Sequence, residues 1–104
     1  MRIEINPQAG LPEGLKEKVG RQVAFKLGAK SASVEYVRVS LKTLSLTEDE
    51  PWYVCEISAV LRNGKRHSAQ LRNRLPNICI ADTTSRLSRA INREAQRFAR
   101  QGHA

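Results

Sequence analysis

The chain is poor in the residues that most often carry catalysis, metals or cross-links. Its 104 residues include two cysteines and two histidines, and aromatic side chains make up 5%. Cys55 and Cys79 lack CxxC spacing and have no histidine nearby, so the roughly four ligands of a zinc site cannot be gathered. A reducing compartment disfavours a disulfide, and both cysteines read as small core residues. There is no run of about 18 apolar residues, which excludes a membrane-spanning helix. The N-terminal stretch Met1-Arg2-Ile3-Glu4-Ile5-Asn6-Pro7 has no apolar segment behind its charge and does not read as a secretory signal. The expected location is cytoplasmic, with no membrane contact.

Catalytic signatures are missing as well. The sequence holds no Gly-rich phosphate loop, no HExxH, no GxSxG and no Gly-Gly-Gln. His67 falls on the apolar-facing set of its strand with no nucleophile pattern beside it, and reads as a buried, hydrogen-bonded histidine. His103 lies in the tail, and Glu48-Asp49-Glu50 reads as a solvated loop. The expectation is a protein that is not an enzyme and has no cofactor, no metal and no small-molecule substrate.

The most informative scarcity is of acid in one part of the chain. Residues 1–61 hold eight basic and eight acidic side chains, whereas residues 62–104 hold ten basic ones against Asp82 and Glu94 alone. The whole formal charge of +8 therefore belongs to the last two-fifths. Such a field attracts polyanions.

What is present reads as β-α-β-β-β-α in a single domain over residues 1–101, with 102–104 a frayed tail. Ile3 and Ile5 alternate in a short first strand. Pro12 and Glu13 suit a helix start, and Leu15, Val19, Val23 and Leu27 follow at four-residue intervals with Gly28 as the stop. Gly14 and Gly20 weaken this helix by roughly 1 kcal/mol each relative to alanine. Phe25 falls off its apolar stripe. Val37, Val39 and Leu41 mark a half-buried strand over Val34–Lys42, and 43–51 reads as a loop. Tyr53, Cys55, Ile57, Ala59 and Leu61 mark the inner face of another strand over 52–61.

Asn63-Gly64 announces a hairpin. A two-residue turn would put the apolar sets of the flanking strands on opposite faces. A three-residue loop, Arg62-Asn63-Gly64 with a left-handed glycine, sets Ala59 opposite His67 and Ile57 opposite Ala69, and is the register expected. From Asn77 to Gln101, Ile80, Thr84, Leu87, Ile91, Ala95 and Phe98 share a narrow arc at about 100° per residue. These patterns imply an α+β fold, a four-stranded mixed sheet with two helices packed on one face and the first two strands parallel.

Opposite that arc, Arg86, Arg89, Arg93, Arg97 and Arg100 fall within roughly 80°. A soluble surface helix ordinarily mixes signs at these spacings, because like charges there cost a few tenths of a kcal/mol per pair. The all-arginine choice suits phosphate, which the guanidinium fork matches in geometry. Arg66, Arg72 and Arg74 form a second basic group with Arg62 and Lys65, and Lys18 and Arg21 add charge from the first helix. With Trp52 and Tyr36 as the aromatic candidates, each expected to be partly buried, recognition of phosphate and shape fits better than reading of a single-stranded sequence.

The chain resembles the ribosome hibernation-promoting factor family and its ribosome-associated inhibitor relatives, in the short form. The resemblance rests on Arg2-Ile3-Glu4-Ile5, the helix from Leu11 through Val19, the strand through Val37, Val39 and Leu41, the hairpin Asn63-Gly64-Lys65, and the stretch Ile80 to Ile91 with Arg86-Leu87 and Arg89 inside it. Family members often carry an acidic-aromatic segment before the last helix and an aspartate just inside it. Here Leu75-Pro76-Asn77 and Ala81 stand there, and Asp82 comes one position late. The second, dimerising domain of long members is not expected here. The resemblance implies binding to ribosomal RNA of the small ribosomal subunit, as a monomer or weak dimer, with inhibition of translation in stress. Two other readings stay open: a double-stranded-RNA-binding module, and a basic regulatory adaptor for an acidic protein.

Overall fold

The computed structural model describes residues 1–7, 14–28, 33–44 and 52–101, with side chains described through residue 94 except that of Pro7. The elements are β1 (Arg2–Pro7), α1 (Leu15–Leu27), β2 (Val34–Leu44), β3 (Trp52–Leu61), β4 (Arg66–Asn73) and α2 (Pro76–Gln101). The expected α+β order and element types are therefore found. The strands form one sheet in the order β1-β2-β3-β4. β1 runs parallel to β2, and the other two pairs are antiparallel.

Alternation decides which side of the sheet is dry. Val37, Val39 and Leu41 of β2 and Cys55, Ile57, Ala59 and Leu61 of β3 are buried, and Ala69 of β4 joins them. Against this face pack Leu15, Val19, Val23 and Leu27 of α1 and Cys79, Ile80, Leu87 and Ile91 of α2. Val34 also reaches the core, although it stands three positions before Val37, an odd spacing that would normally place it on the other face. A shift in the β2–β3 register between Val34 and Tyr36 makes Glu35 the extra residue of a bulge, which returns Val34 to the inner face. The opposite face is not uniformly wet. Val54 points there and is 3% exposed. Its register neighbours are Lys42 and Arg72, whose aliphatic stems can cover an apolar side chain while their charges stay hydrated.

The hairpin takes the three-residue form. Gly64 N donates to Leu61 O (2.9 Å), Leu61 N donates to Lys65 O (2.8 Å), and Gly64 has φ +86°. Asn63 Oδ1 accepts from Lys65 N at 3.0 Å. Ala59 then faces His67 and Ile57 faces Ala69.

Two boundaries differ from expectation. α1 begins at Leu15, and Gly14 precedes it in a left-handed conformation (φ +79°) rather than inside the helix. The expected starters Pro12 and Glu13 lie outside the described residues. β2 continues through Thr43 and Leu44, paired with Tyr53 and Trp52, because two antiparallel strands of matched length keep bonding to the strand end. Gly20 has a packing reason: a Cβ there would stand 3.2 Å from Ile5 Cδ1, so its smallness lets α1 approach β1. Residues 102–104, the expected tail with His103, lie outside the described residues, as do Glu48-Asp49-Glu50.

Both cysteines are free and buried. Cys79 Sγ lies within hydrogen-bond distance of Leu71 O (3.3 Å) and Tyr53 O (3.4 Å), to which its one proton can be given in turn. Burial pushes the Cys55 thiol up to about 12, with the neighbouring Cys79 adding to the rise, and burial raises Cys79 as well. Native cysteines should therefore react with Ellman's reagent far more slowly than those of the urea-unfolded chain near about pH 8.5. The folded state keeps these protons while the unfolded chain loses them, so stability should decline as pH climbs from about 8.5 toward 12. Urea titrations at stepped pH would check the slope. Leu87 is fully buried, and Leu87→Ala should lower unfolding free energy by about 3 kcal/mol in urea.

Candidate nucleic-acid interface

The arginine stripe of α2 owes its direction to the packing of the other side. Ile80, Thr84, Leu87 and Ile91 are at most 2% exposed. Thr83 and Thr84, buried beside them, donate their hydroxyls to the carbonyls of Cys79 and Ile80, each at 2.6 Å. With that side turned inward, Arg86, Arg89 and Arg93 are exposed. Among the described residues none of the three pairs with a carboxylate. Arg97 and Arg100 belong to the same helix, but their side chains, with those of Ala95 and Phe98, lie outside the described residues.

The two flanks of α2 have different neighbours. On one flank Cys79 reaches Leu71 and Glu94 reaches the start of β4. On the other, Ser85 accepts a hydrogen bond from Lys26 Nζ of α1 at 2.9 Å. At about 100° per residue, Arg86 and Arg93 project on the Cys79 flank and Arg89 close to the crest. The stripe thus leans toward the β4 edge of the sheet, away from α1.

There it meets part of the hairpin's basic group. An open cleft of about 520 Å³ is lined by Lys65, Arg66, His67, Ala90, Arg93 and Glu94. Glu94 organises it. Its Oε1 accepts from Lys65 Nζ at 3.0 Å, and its Oε2 pairs with His67 Nε2. A carboxylate can only accept, so the Nε2–H of His67 is the donor. His67 is hydrogen-bonded as expected, but half-buried, because Glu94 meets it at the rim of the α2–β4 contact rather than in the core.

The remaining expected residues scatter. Lys18 and Arg21 are exposed on α1, across the α1–α2 groove from the stripe. Arg72 pairs in register with Val54, on the face of the sheet that the helices leave open. The Arg74 guanidinium lies 5.0 Å from the centroid of the Trp52 ring, a cation–π contact. Trp52 and Tyr36 are partly buried, as expected.

A further constellation is not legible in the sequence. Tyr36 is flanked by Arg2 and Arg38 at 5.7 and 5.6 Å, and its hydroxyl donates to Glu4. That bond, followed by one from Asn6, holds the Glu4 carboxyl below its usual range. Glu4 and Arg38 are register partners across β1 and β2, a pairing legible only once the two strands are known to be parallel neighbours. Among the described residues no group of three His, Cys, Asp or Glu side chains could hold a metal ion, and no helix is long and apolar enough to cross a membrane.

A four-stranded mixed sheet covered on one face by two helices, with a basic outer helix, defines the class. The same fold occurs in a ribosomal subunit interface protein from Coxiella burnetii, with a TM-score of 0.76 at 11% identity over 92% of this chain and 99% of that one. It occurs too in the N-terminal domain of Protein Y from Thermus thermophilus, with a TM-score of 0.66 at 13% identity over 88% of this chain and 93% of that one. No protein-family model and no curated protein matches the sequence itself.

Replacing Glu94 by alanine should remove the link between the hairpin and α2. Two half-exposed bonds are lost, so the expected loss is about 1 kcal/mol of stability, measured by thermal unfolding at low and high salt.

Proposed function

We propose that the protein is a ribosome-associated, RNA-binding inhibitor of translation, of the hibernation or stress type. It docks the basic outer side of α2 on ribosomal RNA of the small subunit. The observation that carries this reading is the run of exposed arginines Arg86, Arg89 and Arg93 without a carboxylate partner among the described residues, continued into the Lys65–Arg66 cleft. Paired charges would already be satisfied at home, whereas these keep their forks for phosphate. Arg97 and Arg100 extend the same face by sequence spacing, and Lys18 and Arg21 supply charge across the groove. Arg72 and Arg74, on and beside the open sheet face, contribute at a second front.

The fold shared with a ribosomal subunit interface protein supports the ribosome as the place of action, and hence the cytoplasm. The role is one of binding rather than catalysis. A double-stranded-RNA-binding module shares the α-β-β-β-α core, but would concentrate its basic residues at the start of the last helix. Here they run along its length. A regulatory adaptor for an acidic protein would be captured in a nuclease-resistant, salt-sensitive complex.

Sucrose-gradient co-sedimentation with purified small subunits tests the proposal. Saturable binding should weaken roughly 100-fold or more between about 50 and about 200 mM salt if about five phosphates are neutralised. Glutamate at Arg86, Arg89 and Arg93 together should abolish binding and relieve inhibition in a cell-free translation assay while circular dichroism stays native. A folded triple variant that still co-sediments would overturn the proposal.

A further inference from the structure

Phe25 is 86% exposed, the most exposed large apolar side chain among the described residues. Leu15, Val19, Val23 and Leu27 take the inner face of α1, which leaves Phe25 on the outside by helical geometry. A lone exposed ring is ordinary on a protein surface, but the setting of this one is not. Phe25 lines an open cleft of about 270 Å³ with Arg21, Gln22, Lys26 and Ala81, in the groove between α1 and α2. Ring and Ala81 methyl supply apolar surface, Arg21 and Lys26 supply charge, and Lys26 Nζ is held at the groove by Ser85 Oγ at 2.9 Å.

We propose that Phe25 is a stacking platform for an unpaired RNA base, with Arg21 and Lys26 holding the adjoining phosphates. This rests on the RNA-binding reading and extends it from phosphate contact to recognition of a single-stranded nucleotide. Charge complementarity selects the occupant. The exposed residues of α1 include Lys16, Lys18, Arg21 and Lys26 against Glu17 alone. An apolar protein partner would need a contiguous apolar patch, and among the described residues no other large apolar side chain lines the cleft, the exposed Leu75 and Ile78 lying around the start of α2. Aromatic face plus cationic rim is the combination that binds single strands with little sequence preference. The other two candidate rings are already engaged, Trp52 by Arg74 and Tyr36 by Arg2 and Arg38.

The test is fluorescence anisotropy with a labelled oligoadenylate of about 12 nucleotides, a length one small domain can cover, and an RNA duplex of the same length. Phe25→Ala and Phe25→Leu should each lower affinity for the single strand about tenfold. Both should leave duplex affinity and the salt slope unchanged, and Phe25→Trp should bind the single strand at least as well as wild type. Alanine and leucine variants within twofold of wild type would overturn stacking while leaving the RNA reading intact. Wild-type protein that binds neither RNA would overturn both. Concentration-dependent self-association in sedimentation velocity, lost in Phe25→Ala together with no change in RNA affinity, would assign the ring to a second copy of this chain and also overturn the proposal.

Discussion

The seating of α2 on β3 and β4 is the contact on which the rest depends. Ile80, Leu87 and Ile91 are buried there, each contributing roughly 1.5–3 kcal/mol. On the opposite side arginines repeat at three- and four-residue spacing, where each like-charged pair costs a few tenths of a kcal/mol. The apolar term is several times larger, so the helix holds a charged face that an isolated peptide would resist. The buried threonines add no orphan polar groups, since their hydroxyls bond one turn back along the helix. The direction of the arginines is thus a by-product of where the apolar stripe is seated.

Glu94 is the second point of leverage. It is one of two acids in the last two-fifths of the chain, and it serves to join rather than to neutralise. Through Lys65 and His67 it fastens the hairpin end of β4 to α2. The cleft that results brings Arg66 and Arg93 to one place, although they stand 27 positions apart in sequence. A carboxylate placed among the exposed arginines would have cancelled part of the positive charge of that face. Placed on the flank, it positions charge instead.

Apart from the cations on the outer side of α1, the basic residues fall on two fronts. The outer helix face and the β4 cleft form one, where among the described residues Arg86, Arg89 and Arg93 have no carboxylate partner. The open sheet face forms the other, where Arg2, Arg38 and Arg74 are engaged with tyrosine and tryptophan rings. Internal cation–π contacts lend the second front structure and reduce its freedom to take an outside ligand. That contrast is why the helix face carries the functional proposal.

Strand and helix identity, the parallel first pair and the three-residue hairpin were all legible in the residues. Side-chain periodicity is a local property, and a one-residue slip at Asn63-Gly64 would have turned His67, Ala69 and Leu71 away from the core. The arginine stripe was legible for the same reason. Three things were not. The Glu94 contact with His67, the Tyr36 cluster with Glu4, and the groove beside Phe25 each join residues far apart in the chain. Whether such residues meet depends on which edge of the sheet a helix covers and how far it rotates on its own axis. Local spacing determines what each element presents. Only the packing of element on element decides what it is presented to.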